Sequence, residues 1–430
     1  MSDKWKTVTI GSLITKRSDR NHPELPLLSV VRSKGVIVRD ISSKAENHNF
    51  IPDDLSGYKL VMPGDLVINK MKAWSGSLGV SNWKGIVSPA YYVYSLGYKV
   101  PHYAHYLLRT SKFAEEFARC SDGIRVGQWD LSISAFKRIM VPVPSEIEQK
   151  NIVKYLDHYM FAFNKAVNAK LTLINLLEEK KIRIIDELVN NGVSSNKNYY
   201  DSGLPWLPPV PGHWKVQPLR AYLEHTKRLV GKDSNKYNLL SLTKGGVILR
   251  DLSEMKGKFP ASFDTYQRVE PGDFIFCLFD IDETPRTVGK SNLSGMITGA
   301  YSSCKHLGTG NADYLELQLL AIDNQKKFKP LYRGLRKIIS KDEFLSIRVM
   351  EPPLEEQDAI VARIRVETEG IEFAISAIKN EISLMREHKE RLIRDVTMGH
   401  FDVQKLAQNL SEIELDVVEI PESEVELEDD

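Results

Sequence analysis

Residues 29–42 of this chain (SVVRSKGVIVRDIS) return, one residue shorter, as residues 241–253 (SLTKGGVILRDLS). Trp5-Lys6 recurs as Trp214-Lys215, Pro63-Gly64-Asp65 as Pro271-Gly272-Asp273, and the run from Gly85 to Tyr91 as Gly295 to Tyr301. Further on, Phe136, Ile139, Val141, Glu148-Gln149 and Ile152-Val153 match Phe344, Ile347, Val349, Glu356-Gln357 and Ile360-Val361 at a constant shift of 208. Order is kept throughout, so two copies of one large unit cover almost all of the 430 residues. A fold for this chain must build one architecture twice.

Hydrophobic period divides each copy. Residues 1–145 and 206–353 mix short β-rich runs (Leu66 to Asn69, Tyr91 to Ser95, Phe274 to Leu278) with Gly/Pro/Asp turns and brief helical stretches such as Tyr103 to Phe117. These read as α/β globular domains. After Pro144 and Pro353 the pattern changes to long proline-free segments. In the second of these, Ile371, Ile375, Ile378, Ile382, Met385, Leu392 and Val396 follow alternating steps of three and four, with Lys389 as a polar member of the series. That is a heptad seam. The first copy places Phe163, Val167, Ile174, Leu177, Ile184 and Leu188 at matching positions. Two helices of roughly 40 residues, about 60 Å long, are predicted.

A long helix must bury its apolar stripe, and the nearest partner is its own repeat. Antiparallel pairing would relate the copies by a pseudo-twofold axis. The predicted fold is thus mixed α/β: two repeated globular domains separated by two long antiparallel, coiled-coil-like helices. The boundaries read as a first domain at 1–145, a helix at 146–191, a linker at 192–213, a second domain at 214–353, a second helix at 354–400 and an acidic tail at 401–430. Pro205, Pro208, Pro209 and Pro211 cannot continue a helix, which marks the linker. The tail from Glu412 holds ten acids and no base, and is expected to be disordered.

That tail conceals the charge of the rest. The whole chain carries +1, but residues 1–411 carry +11. Residues 1–145 hold +8 and residues 206–353 hold +6, whereas 146–205 balance and 354–411 carry −3. Two basic modules on a neutral spacer are the electrostatic footprint of a protein that docks on a phosphate backbone. Cys120, Cys277 and Cys304 are widely spaced with no CxxC, which excludes a disulfide framework and a cysteine-only zinc site. No apolar run approaches the ~18 residues needed to span a bilayer, and Met1 to Lys6 precede no apolar core. A cytoplasmic location without membrane contact is expected.

Catalytic signatures are missing or broken. Gly289-Lys290-Ser291 could end a P-loop, but Thr284 stands where its first glycine belongs. No G-x-G-x-x-G opens a helix, and no Asn/Asp-Pro-Pro-aromatic tetrapeptide occurs. His102 and His105 form H-x-x-H without a nearby carboxylate, so no metal site is expected. Asp130 followed by Glu148-Gln149-Lys150 is nuclease-like. Yet Glu148 opens a long helix, where the dipole favours acids, and the repeat copy, Glu356-Gln357-Asp358, loses the lysine.

The assembled pattern resembles the specificity subunit of type I restriction-modification systems. The resemblance lies in two repeated domains, each followed by Pro-x-x-x-Glu-Gln (Pro144 with Glu148-Gln149, Pro352 with Glu356-Gln357) and a long helix. It extends to the helix end Lys389 to Gly399, where Met398 is an insertion, and to the linker Asp201 to Trp214, and covers roughly residues 1–400. What it implies is a non-catalytic DNA reader, each domain binding half of a bipartite, asymmetric double-stranded DNA sequence. Two adenine methyltransferase subunits would dock on the helices and bring S-adenosylmethionine. Motor-nuclease subunits would add dependence on ATP and magnesium, with no cofactor or metal bound by this chain.

Candidate DNA contacts follow the repeat. Lys70, Lys72, Trp74 and Ser75 fill a turn-rich loop after the strand that Pro63-Gly64-Asp65 introduces; its counterpart, Asp280 to Lys290 with Arg286 and Lys290, differs completely. Divergence inside a matched frame is what two different half-sites require. Arg125 and Gln128 in one domain, and Arg333, Arg336 and Lys337 in the other, are further candidates near the helix junctions. A stand-alone DNA-cleaving or DNA-modifying enzyme is the alternative, supported by Asp130, Glu148 and Lys150.

Overall fold

The computed structural model describes residues 5–40, 51–125, 128–194, 198–250, 262–281, 284, 286–334 and 337–411, apart from the side chains of 124, 125 and 128. The acidic tail from Glu412 and Arg336 lie outside the described residues.

The first copy runs β1 (Lys6–Thr9), β2 (Ile14–Lys16), β3 (Leu28–Val31), β4 (Gly35–Val38), β5 (Lys59–Val61), β6 (Leu66–Asn69), β7 (Leu78–Val80), β8 (Gly85–Val87) and β9 (Tyr91–Leu96). It continues with α1 (Pro101–Leu108), α2 (Ser111–Arg119), β10 (Ser121–Arg125), β11 (Gln128–Leu131), α3 (Ile133–Phe136), β12 (Met140–Val143) and the long α4 (Glu146–Asn191). The single helical stretch expected from Tyr103 to Phe117 is two helices. Thr110 between them is extended, and its hydroxyl donates to Leu107 O at 2.9 Å.

After β13 (Tyr199–Tyr200) and β14 (Val210–Pro211), the second copy runs β15 (Lys215–Pro218), β16 (Leu223–Thr226), β17 (Leu240–Thr243), β18 (Gly246–Leu249), β19 (Gln267–Val269), β20 (Phe274–Phe276), β21 (Val288–Lys290), β22 (Gly295–Ile297) and β23 (Ser302–His306). Then follow α5 (Ala312–Asn324), α6 (Lys341–Ser346), β24 (Arg348–Glu351), the long α7 (Leu354–Thr397) and α8 (Gln404–Gln408).

Sheet topology repeats strand for strand. The four-stranded order β2-β9-β6-β7 becomes β16-β23-β20-β21; the pairs β1-β12, β3-β4 and β5-β8 become β15-β24, β17-β18 and β19-β22. All these pairings are antiparallel. Alternation along the central strand divides two apolar layers, because successive side chains leave opposite faces. Leu66 and Ile68 join the main core with Tyr103, Leu107, Phe113 and Phe136, while Val67 between them joins Val30, Val61 and Val87. In the second copy Phe274 and Phe276 enter the main core, and Ile275 joins Leu240, Val269 and Ile297.

The recurring Pro-Gly-Asp now has a physical role. Gly64 and Gly272 take φ of 88° and 92°, a region that favours glycine. The following aspartate is buried and folds back: Asp65 accepts from Met62 N at 2.8 Å and Arg17 Nε at 2.6 Å, Asp273 from Glu270 N at 2.8 Å and Arg228 Nη2 at 2.5 Å.

Each long helix starts on the motif that the sequence repeats. Ser145 and Glu148 form a reciprocal capping box, with Ser145 N donating to Glu148 Oε2 at 3.0 Å and Glu148 N to Ser145 Oγ at 3.3 Å. The other carboxylate oxygen accepts from Trp5 Nε1 at 3.1 Å, and in the second copy Trp214 Nε1 donates to Glu356 at 2.9 Å. The adjacent glutamine is a buried latch. Gln149 donates to Pro144 O at 2.8 Å and accepts from Val100 N at 3.0 Å; Gln357 donates to Pro352 O at 2.8 Å and accepts from Asn311 N at 2.8 Å. Both helices end at a left-handed glycine, Gly192 and Gly399. The Trp5 ring lies about 3 Å from where a Cβ at Gly399 would stand, so only glycine fits there.

Contacts divide the chain into two compact units, Met1–Leu173 with Ala377–Asp430, and Ile174–Ser376. Within the first, Lys170 pairs with Glu381 at 2.7 Å and the Tyr159 hydroxyl meets His388 Nδ1 at 3.1 Å; within the second, Lys181 pairs with Glu372. As one number rises the other falls, so the helices pack antiparallel. Phe163, Val167, Ile174, Ile371 and Ile382 are buried, and Leu177, Ile184, Ile375 and Met385 are half-buried. Leu188, Leu392 and Val396, expected on the helix pair, pack against the globular cores, because the helix ends reach into them. The polar seam residue Lys389 stacks its ammonium over the Phe163 ring, 4.9 Å from the centroid. Residues 401–411, expected in the acidic tail, hold α8, whose Ala407 is buried, and Val403 just before it joins Met398 in the first core.

Candidate nucleic-acid interface

In the first domain the loop after β6 and the β10–β11 hairpin close on each other. Lys70 Nζ meets Asp130 at 2.7 Å, and Leu131 N donates to Lys70 O at 3.1 Å. Trp74 packs on Trp129, with centroids 5.1 Å apart and planes at 49°. The aromatic pair is half-buried, so part of each ring stays open to a ligand. Ser75 Oγ donates to Lys72 O at 2.9 Å, and the exposed Lys72 ammonium has no ion pair among the described residues. The Lys70 ammonium is pushed up by its hydrogen bond to Asp130. Arg125 and Gln128 face each other across the hairpin backbone, while their side chains lie outside what is described.

Trp129 and Asp130 complete this cluster. Sequence alone points to their neighbours and gives Asp130 only a nuclease-like context; a tryptophan between polar residues in a short β-run is the signal for Trp129. The nuclease-like trio is dispersed among separate partners: Asp130 on Lys70, Glu148 on Trp5 and Ser145, Lys150 on Glu146 at 2.8 Å. No group of three or more His, Cys, Asp or Glu among the described residues could hold a metal ion. His102 and His105 are engaged separately, His102 on Asn82 and His105 between Val80 N and Arg109. Burial, with Arg109 and His102 adding to it, holds His105 well below the ordinary imidazole range.

The second domain places its candidates differently. Arg286 Nη1 donates to Lys244 O, the β17–β18 turn, at 2.6 Å. Arg109 Nη2 does the same at 2.6 Å to Arg32 O, the matching β3–β4 turn of the first domain. The two arginines come from unrelated positions, yet each braces the same hairpin. Lys290 is removed from the candidate surface. It is 11% exposed, bound to Asp313 and 3.6 Å from Glu316, so its charge is neutralised inside the fold. Arg333 pairs with Glu343 at 2.9 Å but stays exposed, where such a pair is weak. Lys337 is exposed with φ of 47° in a tight turn closed by the Arg333–Ile338 bridge.

This duplicated architecture, two α/β domains joined to paired long helices, is the class of fold found in type I restriction-modification systems. A solved chain from a study of complex assembly and conformational transition of the type I R-M system matches with a TM-score of 0.63, over 93% of this chain and 99% of its own, at 12% identity. The HsdS subunit of Thermoanaerobacter tengcongensis matches at 14% identity over 93% of this chain and 97% of its own, with a TM-score of 0.42. Among curated proteins, one of Methanocaldococcus jannaschii assigned as the type I restriction enzyme MjaX specificity subunit is 23% identical over 376 residues, 82% of this chain and 80% of its own length. No protein-family model matches. In sequence the chain is similar to a type I specificity subunit, and in fold to a chain of a type I R-M system. No helix among the described residues is long and apolar enough to cross a membrane.

Proposed function

We propose that this chain is the sequence-recognition subunit of a type I restriction-modification complex, with each globular domain reading one half of a bipartite DNA target. One observation carries the reading. The two domains agree strand for strand and latch for latch, yet differ in the loop after β6 and β20 and in the elements between β9 and β12, or β23 and β24. A shared frame with divergent loops suits two readers of different base sequences.

The helices set the distance between half-sites and receive two methyltransferase subunits. Leu176 and Leu384 support two identical partners: they stand 208 residues apart, at equivalent places in the repeat, and are 56% and 57% exposed. The chain itself is non-catalytic. S-adenosylmethionine, ATP and magnesium belong to the partner subunits.

Exchanging residues 206–353 for the equivalent segment of a relative tests this. One half of the methylated sequence should change and the other persist; loss of both together would refute independent readers.

A further inference from the structure

The two domains also agree at a corner that no candidate residue occupies. In the first, the chain leaves β2 at Lys16 and runs beside β5, where Arg20 bridges to Lys59 and Leu60 N donates to Asp19 O at 2.9 Å. In the second, Leu229 bridges to Gln267 and Arg268 N donates to Arg228 O at 2.6 Å. The backbone is the same, but the cations arrive by different routes.

In the first domain they are Lys16, Arg20 and Lys59. Lys59 is fixed by donating to Pro89 O at 2.8 Å and to Tyr91 O at 2.5 Å. Burial lowers its pKa, and the charges of Arg20 and Lys16 lower it further, which puts both cations within electrostatic reach of Lys59. In the second domain Gln267 takes over the role of Lys59, donating to Tyr301 O at 2.7 Å and Gly299 O at 3.5 Å. The charge comes instead from Lys227, just after β16, and from Lys341, the first residue of α6. Both line a cavity of about 340 Å³ together with Thr265, Gln267 and Gly299. They also act on one neighbour: the His225 imidazole is lowered by burial, then by Lys341 and Lys227, against Asp342.

Lys16, Arg20, Lys227 and Lys341 are exposed and have no ion pair among the described residues. Elsewhere Lys70, Lys290 and Arg333 each have a carboxylate partner. Grouped like charges repel, and among the described residues no carboxylate forms an ion pair with them. An external anion would.

We infer that these corners are the phosphate anchors of the two domains: Lys16 and Arg20, backed by Lys59, and Lys227 with Lys341, each grip the backbone of duplex DNA whatever its sequence. The inference rests on the DNA-reading function proposed above and adds a division of labour to it. Contacts that every target needs fall where the two copies share a frame, and contacts that discriminate fall where they differ.

The test uses the full chain, assembled with its methyltransferase subunits, carrying K16Q/R20Q or K227Q/K341Q. The parental assembly first selects its target from a random duplex pool. Affinity for that target and for a scrambled duplex is then measured between 50 and 200 mM salt, as orders of magnitude that phosphate contacts control. Each double variant should lower the slope of log K against log salt by about 1–2, since one neutralised phosphate contributes roughly 0.9. It should weaken both duplexes by the same factor and select the parental sequence again, while K227R/K341R keeps the parental slope. An unchanged slope overturns the anchors, and so does a changed half-site, which would make these residues base readers. Saturable binding of inorganic phosphate, lost in K227Q/K341Q while the DNA slope stays parental, would assign the cavity to a free anion and overturn the inference too. A parental assembly that binds no duplex at all would overturn the DNA-reading function itself, and that arm is read separately.

Discussion

Replacing Gln149 by leucine should cost the first unit far more than a surface change, because this side chain holds two backbone groups at once. Gln149 is 2% exposed; its amide donates to Pro144 O and accepts from Val100 N, the residue that caps α1. Leucine fills a similar volume but leaves both groups without a partner. An unsatisfied buried donor or acceptor costs about 1–3 kcal/mol. Val100 is half-buried and can recruit water, which trims the sum to about 2–4 kcal/mol. For a unit of this size 1 kcal/mol moves the melting temperature by roughly 2–4 °C, so a drop of roughly 4–16 °C is expected. Hydrogen exchange read by mass spectrometry should show protection lost first in α1 and the opening turns of α4. Gln357→Leu should do the same to α5 and the start of α7 through Asn311 N and Pro352 O, and leave α1 protected. If Gln149→Leu melted within about 1 °C of the parent, or lost protection in α5 rather than α1, the latch would be a coincidence of placement.

Further outcomes are expected. Lys72→Gln and Trp74→Ala should relax one half of the selected DNA sequence by about 1–3 kcal/mol of discrimination; a selected sequence identical to the parent's would remove this loop from the reader. Seven residues inserted after Leu177 and after Ala374 lie opposite each other in the register fixed by Lys170–Glu381 and Lys181–Glu372, and keep the heptad. Each adds about 10.5 Å, so the preferred spacer between half-sites should grow by about three base pairs; an optimum still at the parental spacer would mean that helix length does not set it. His105, and His102 in the same direction, have folded pKa values below the unfolded value. The unfolded chain therefore takes up the proton first, and stability present above about pH 6.5 is lost as pH falls toward the folded value. The urea midpoint should fall between pH 7.5 and 5.5, and His105→Gln should flatten that dependence; equal pH slopes in parent and variant would exclude His105 as the cause.

What is local or periodic in this fold can be read from the amino acids alone. The duplication, the Pro-Gly-Asp turns, the helix starts at Glu148-Gln149 and Glu356-Gln357, and the heptad seam are each written in adjacent residues or a fixed step, so their physics acts before the chain has closed on itself. Divergence between the copies likewise marked the Lys70 to Ser75 loop. Tertiary structure decided everything that joins distant residues. Antiparallel packing makes each compact unit from one globular domain and parts of both helices, so a linear division of the chain cuts across both. It brought Trp129 onto Trp74, gave Lys70 a carboxylate, and buried Lys290 against Asp313. It set Arg109 and Arg286, unrelated in sequence, on the equivalent turn of each domain, and folded Met398 and Val403 into the first core. A cation's availability depends on which carboxylate the fold delivers to it. That partner lies tens or hundreds of residues away, at a spacing that only chain closure fixes, so no periodicity in the sequence announces it.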